Sequence, residues 1–200
     1  MKPMMIRNFM AVILAGLLPL ACTSRMIAPK PRLGSPAHHV ENGFKLLEME
    51  KIDAAFQEFK MAQELDPGYA AAHIGMGLAY GFREEYEKGL GSLETARLKA
   101  TIPAQHIEAL TGFMRLYTIG NTRMKSNWLQ EVEQAFEKTQ TLDREAPGPH
   151  FFMGMAYKKA GRYDAAETEF IRVFEIGKGF VEDADREYTA VQKLKKSASQ

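Results

Sequence analysis

The feature that most constrains this chain is a block that returns. The stretch HIGMGLAYGFREEYEKGLGSLETA at residues 73–96 comes back as HFFMGMAYKKAGRYDAAETEFIRV at 150–173. At a spacing of 77 residues, His73 matches His150, Met76 matches Met153, Gly77 matches Gly154, Ala79 matches Ala156, Tyr80 matches Tyr157 and Tyr86 matches Tyr163. At a spacing of 34, His39 matches His73, Gly43 matches Gly77, Ala62 matches Ala96, and Phe59 corresponds to Leu93. A period near 34 residues belongs to chains that stack one small unit repeatedly, because a single unit cannot bury its apolar face alone.

Each unit reads as two helices. In the first, Val40, Phe44 and Leu47 form an apolar stripe at helical spacing. A short turn at 51–53 follows, with Asp53 as the expected N-cap, and Ala55, Phe59 and Ala62 line one face of a second helix. LDPG at 65–68 blocks continuation. The third unit is irregular. Gly112 follows Gly77 by 35 residues but Phe136 follows Leu93 by 43, which predicts about eight extra residues between its helices. IGNTRMKS at 119–126 is the expected insertion, with Ser126 capping a helix that begins near Trp128. Residues 180–196 read as a lone amphipathic helix, apolar along Val181, Ala184, Tyr188 and Val191, suited to close the stack.

These residues resemble the tetratricopeptide repeat. Gly43, Ala55, Phe59, Ala62 and Pro67 fit its pattern, with Leu46 in place of the aromatic. Gly77, Tyr80 and Ala96 fit in the second unit, where Gly89 and Leu93 are conservative departures. Gly154, Tyr157, Ala166 and Phe170 fit in the last, with Val173 for alanine. The third unit matches least, since Arg115 stands where the aromatic is expected. The resemblance implies an all-α solenoid of about four helical hairpins and a C-terminal capping helix, over residues 37–196, with a tail at 197–200.

The glycines at 75, 77 and 81 do not read as a phosphate loop. Such a loop follows a strand and opens a helix, whereas here the preceding segment is helical and no Lys-Ser/Thr follows. The expected role of Gly77 is a close helix crossing, with Tyr80 filling the neighbouring gap. A formal net charge of +1 argues against a general nucleic-acid binder. The recurring His39, His73 and His150 are displaced along a solenoid and read as packing residues rather than metal ligands. No H-E-x-x-H is present, and no paired carboxylates stand out from the helix faces. No metal, cofactor or catalytic residue is expected.

The N-terminus has a different character. Lys2 and Arg7 precede an apolar run at 9–21, and LLPLAC at 17–22 ends in a small residue before the only cysteine. This layout is that of an export signal, and the run is short of the roughly 20 residues a membrane span needs. It resembles a bacterial lipoprotein signal peptide at residues 1–21, with Ala21 before the cut and Cys22 as the lipidated residue. Pro19 departs from the usual leucine of that pattern. An uncleaved anchor and an ordinary signal peptide are the alternatives. Cleavage removes Lys2 and Arg7 and takes the formal charge from +1 to −1. Thr23, rather than aspartate, follows the cysteine, and by the same resemblance implies the outer membrane, facing the periplasm. Residues 22–36, with three prolines and no acidic residue, read as an extended tether.

In tetratricopeptide arrays the first helix of each hairpin lines a concave surface that takes a peptide or partner protein. The resemblance places Val40, Phe44 and Leu47 there, then Ile74, Leu78 and Phe82, then Phe113, Leu116 and Tyr117, then Phe151, Met155 and Lys158. Val40 and Phe44 occupy key places of the lysine and asparagine clamp used by the chaperone-binding subclass, which disfavours that function. A ligand with an apolar anchor and an acidic end suits the surface, with Lys158 and Lys159 at its basic end. The reading is a membrane-anchored adaptor that assists assembly of an envelope complex. The alternatives are a pilotin-like factor for type IV pili, a self-associating structural lipoprotein, and an enzyme whose site is not recognised.

Overall fold

Residues 32–198 are described by the computed structural model, and among them nine α-helices and no strand form. The export segment 1–21, Cys22 and the tether as far as residue 31 lie outside the described residues. The helices are α1 (Pro36–Glu48), α2 (Ile52–Leu65), α3 (Ala70–Phe82), α4 (Tyr86–Lys99), α5 (Pro103–Met124), α6 (Trp128–Leu142), α7 (Pro147–Lys159), α8 (Tyr163–Ile176) and α9 (Val181–Ala198). They pair as four antiparallel hairpins with α9 closing the end. Each odd helix packs on the odd helix of the next unit. Each even helix packs on its own partner and on the following odd helix, and no even helix packs on another. That asymmetry curves the stack, with the odd helices on the inside. No helix among the described residues is long and apolar enough to cross a membrane.

Close helix crossings set the geometry. A Cβ at Gly77 would lie 2.8 Å from Leu93 Cγ and 3.1 Å from the Gly89 carbonyl oxygen. Gly154 stands 2.6 Å from the Phe170 ring by the same measure, and Gly43 is capped in the same way by Phe59. Phe59, Leu93 and Phe170 are fully buried, so the first, second and fourth units each press one large side chain of the second helix into the small residue of the first. Tyr80 packs edge-on against Phe56 of the first unit at 5.0 Å, filling the gap between units.

The turn within the first, second and fourth hairpins also repeats. Glu50, Glu84 and Gly161 take left-handed backbone, with φ of 58°, 62° and 75°. The following amides of Lys51, Glu85 and Arg162 donate back to the carbonyls of Leu46, Tyr80 and Tyr157, each at 2.9 Å. This is a Schellman-type helix end. The expected Asp53 cap does not form: the second helix begins at Ile52, and Lys51 at the cap position makes no side-chain capping hydrogen bond.

The third unit departs from expectation in register. Gly112 does not occupy the place of Gly77. A Cβ there would meet Leu93 and Ile74 of the preceding unit, just as one at Gly75 would meet Phe59 of its preceding unit. The place of Gly77 is taken by Met114, fully buried in a cluster with Val132 of its own α6, and Tyr117 packs on the same cluster. The register therefore shifts by two residues. Nor is 119–126 a loop: most of it extends α5, broken only at Asn121, whose φ of 42° and ψ of −135° are non-helical. Arg123 in this extension pairs with Glu84 of the second unit. Ser126 does not cap α6; Asn127 occupies the cap position without a side-chain capping hydrogen bond, its amide donating instead to Glu131 at 3.3 Å.

The recurring histidines tie helices together. His39 Nδ1 lies 2.8 Å from Glu58 and His150 Nδ1 lies 2.7 Å from Glu169, while His73 Nε2 lies 3.0 Å from the Pro67 carbonyl. Among the described residues no group of three or more His, Cys, Asp or Glu gathers as a metal site.

Two alanine substitutions test the crossing. Gly77→Ala is expected to destabilise the fold by about 1–3 kcal/mol, as overpacking does. Gly91→Ala, exposed on α4 with open space around its Cβ position, is expected to stabilise it by about 0.5–1 kcal/mol through helix propensity. Urea unfolding measures both. A neutral Gly77→Ala would contradict the close crossing.

Candidate functional site

The concave face holds one large cavity of about 1080 Å³. Its floor is a face of α5 that carries Ile107, Thr111 and Arg115, with Glu108 at the exposed end of the same face. These recur every three or four residues, so they stack along one side of the helix. One wall comes from α1 and α3, through Val40, Phe44, Leu47, Ile74 and Phe82. The opposite wall comes from α7 and the α8–α9 turn, through Pro149, Phe152 and Phe180. Phe180 stacks on Phe151 at 5.0 Å and meets Phe152 edge-on at 5.5 Å, so the turn before α9 closes that end with aromatic rings.

Arg115 holds the centre of the floor. Its guanidinium carbon lies 5.5 Å from the Phe44 ring and 4.7 Å from the Phe152 ring, so rings from the first and fourth hairpins flank it across the groove. Both distances are within cation–π range. The side chain is only part-exposed, and withdrawal from water pulls its pKa down to about 10, opposed by the charge of Glu48. It stays cationic at neutral pH. Neither a hydrogen bond nor an ion pair engages the guanidinium among the described residues, and its donors are not sealed from solvent. The other charged groups of the lining, Glu48, Glu108, Asp143 and Lys178, sit at the exposed rim. Withdrawal from water pushes the Glu108 carboxyl up.

Of the twelve residues expected to line the groove, Val40, Phe44, Leu47, Ile74 and Phe82 converge on this cavity. The others do not line it. Leu78 and Leu116 have no exposed surface and belong to the first core cluster, on which Phe113 also packs. Tyr117 packs on the second cluster. Phe151 is buried in the third cluster, and Met155 packs against it. Lys158 is turned to α9, where it pairs with Glu187, so it is not the basic end of the groove. The two-residue register shift explains the third unit: Glu108, Thr111 and Arg115 take the places expected for other residues. In the fourth unit α9 and its preceding turn cover the surface that would otherwise be concave. Arg115, Phe152 and Phe180 were the residues the sequence reading missed. One signal was present: Arg115 has no carboxylate three or four residues away on its own helix.

Comparison with known proteins agrees with this architecture. Residues 149–176 match the family described as Tetratricopeptide repeat. Among solved structures, the chain is similar to one chain of the APC/C hetero-tetramer Cut9-Hcn1, with 15% identity over 81% of this chain and 30% of that one, at a TM-score of 0.53. The fold is a tetratricopeptide-type helical-hairpin solenoid. It spans under a third of the length of that relative. Two further similar structures are YrrB, a TPR protein with an unusual peptide-binding site, and pilF of Pseudomonas aeruginosa. The first shows 22% identity over 80% of this chain and 77% of that one, at a TM-score of 0.40. The second shows 15% identity over 80% and 90%, at a TM-score of 0.35. No curated protein matches the chain.

The reassignment of Lys158 within the solenoid has a measurable consequence. Its pairing with Glu187 is part-buried, so Lys158→Ala is expected to cost about 0.5–1 kcal/mol. A double-mutant cycle with Glu187→Ala is expected to recover that amount as coupling energy. Additive effects of the two substitutions would contradict the pairing.

Proposed function

We propose that this chain is a lipid-anchored adaptor whose concave groove holds a segment of a partner protein and so assists assembly of an envelope complex. The observation that carries the binding role is the groove itself: a cavity of about 1080 Å³, lined mainly by apolar and aromatic side chains from three odd helices, α1, α3 and α7, over the floor of α5. Apolar surface of that kind marks an interaction site, and aromatic residues dominate binding hot spots. The volume is at or above the upper end of small-molecule sites, and the groove opens to solvent along its rim, which suits an extended or helical segment.

The anchoring role is supported by the sequence: Lys2 and Arg7, the apolar run at 9–21, and Cys22 directly after Ala21. Several acyl chains on one residue hold a protein firmly at a bilayer. The tether at 22–36 then sets the solenoid off from the surface. Thr23 supports the outer membrane as the destination, facing the periplasm.

Photocrosslinking in the native host tests the groove. A photoreactive residue at Phe82 or Phe152 is expected to give a discrete adduct with another envelope protein, identified by mass spectrometry. The same residue at Leu98, 69% exposed on α4, serves as the control. Adducts from Leu98 alone, or only with further copies of this chain, would overturn the adaptor reading. The anchor has its own test. Cys22→Ser is expected to abolish palmitate labelling and release the protein from membranes; a variant that still fractionates with them would sink the lipid anchor.

A further inference from the structure

Granted the groove reading above, we infer that Arg115 recognises a carboxylate on the partner segment, an aspartate or glutamate side chain flanked by apolar residues. Three observations point there. The guanidinium lies 5.5 Å and 4.7 Å from the Phe44 and Phe152 rings, contacts that use none of its N–H donors as conventional hydrogen bonds. No described residue accepts a hydrogen bond from it, although it is only part-exposed, and Glu48 is felt electrostatically without forming an ion pair. A desolvated cation without its counter-charge is costly, and a carboxylate accepting two parallel N–H bonds supplies that charge with the best geometry.

The setting narrows the ligand further. Val40 and Phe44 stand on one side of the guanidinium, Pro149 and Phe152 on the other. A chain crossing the floor therefore meets apolar surface before and after the charge. The rim carboxylates weaken this preference less than their number suggests, because Glu48 and Asp143 are exposed and screened by water and salt, and Glu108 lies two helical turns from Arg115 with its carboxyl pushed up by partial withdrawal from water. Arginine is the residue suited to such a place: it stacks on rings and keeps its charge when part-buried, which lysine does less well.

The test uses the immobilised full chain and a random peptide library displayed on phage. Selected peptides are expected to carry Asp or Glu between apolar residues. For one selected peptide, exchange of its acid for the amide is expected to weaken binding about 10–100-fold by fluorescence anisotropy, as loss of a charged hydrogen-bond partner does. Arg115→Gln is expected to cause a similar loss, and the two changes together little more than either alone. Arg115→Lys is expected to fall between. Glu48→Gln is expected to tighten the acidic peptide up to about fivefold, by removing a competing charge. The peptide-side exchange needs no protein variant, so a misfolded Arg115→Gln does not leave the matter open. Selected peptides without acidic enrichment, or an amide peptide that binds within about twofold of its parent, would overturn the role of Arg115. If Phe82→Ala still weakened those peptides, the groove would stand as the binding surface without it. Peptides unaffected by Phe82→Ala and by Phe152→Ala alike would overturn the groove reading as well.

Discussion

The close crossing of two helices within each hairpin is the contact on which the rest of this structure depends. Gly43, Gly77 and Gly154 receive Phe59, Leu93 and Phe170 at distances that leave no room for a Cβ. The second helix of each hairpin thereby lies tight against the first, and its large side chain becomes the buried centre of the unit. The turns at Glu50, Glu84 and Gly161 take the same left-handed backbone each time. Odd helices pack on odd helices from unit to unit while even helices do not meet one another, and the resulting curvature gathers the odd helices around a common groove. Met114 breaks the pattern in the third unit. A long side chain in the crossing position is accommodated there by Val132 and Ala135 rather than by a phenylalanine or leucine. The same unit has the extended α5, the non-helical Asn121 and the ion pair from Arg123 back to Glu84.

The fold was legible because the period is strict where the crossings are strict. His, Gly and Ala recur together at a spacing of 34, and Tyr joins them at 77, a combination in register that a stacked hairpin requires. The register of the third unit was not legible, for a physical reason. This fold uses small residues in two ways: against the second helix of the same unit, as at Gly77, and against that of the preceding unit, as at Gly75. Gly112 is of the second kind, and the sequence carries no mark to separate the two. Tyr117 was the better guide, because it packs in its unit as Tyr157 does.

The same register governs which side chains line the cavity. In the first two units, residues at the concave positions reach the cavity, except Leu78, which neighbouring helices cover completely. In the third unit the two-residue shift exchanges Phe113, Leu116 and Tyr117 for Glu108, Thr111 and Arg115. The consequence is chemical as well as geometric, since an apolar floor becomes one with a cation at its centre. In the fourth unit the capping helix takes Met155 and Lys158 for its own packing, and the turn before it offers Phe180 instead. An amphipathic pattern tells which residues are apolar. It does not tell which of several neighbouring helices will cover them.

The central claim is that the groove is already shaped in the free protein, with the first and fourth hairpins held on either side of Arg115. Electron–electron dipolar spectroscopy tests it most directly, with spin labels at Glu48 on α1 and Lys178 before α9, both exposed at the rim, in a Cys22→Ser background. The account predicts one narrow distance distribution in the absence of any partner. A broad distribution extending to longer distances would mean that the hairpins flex independently, and that no standing cavity exists for a partner to enter.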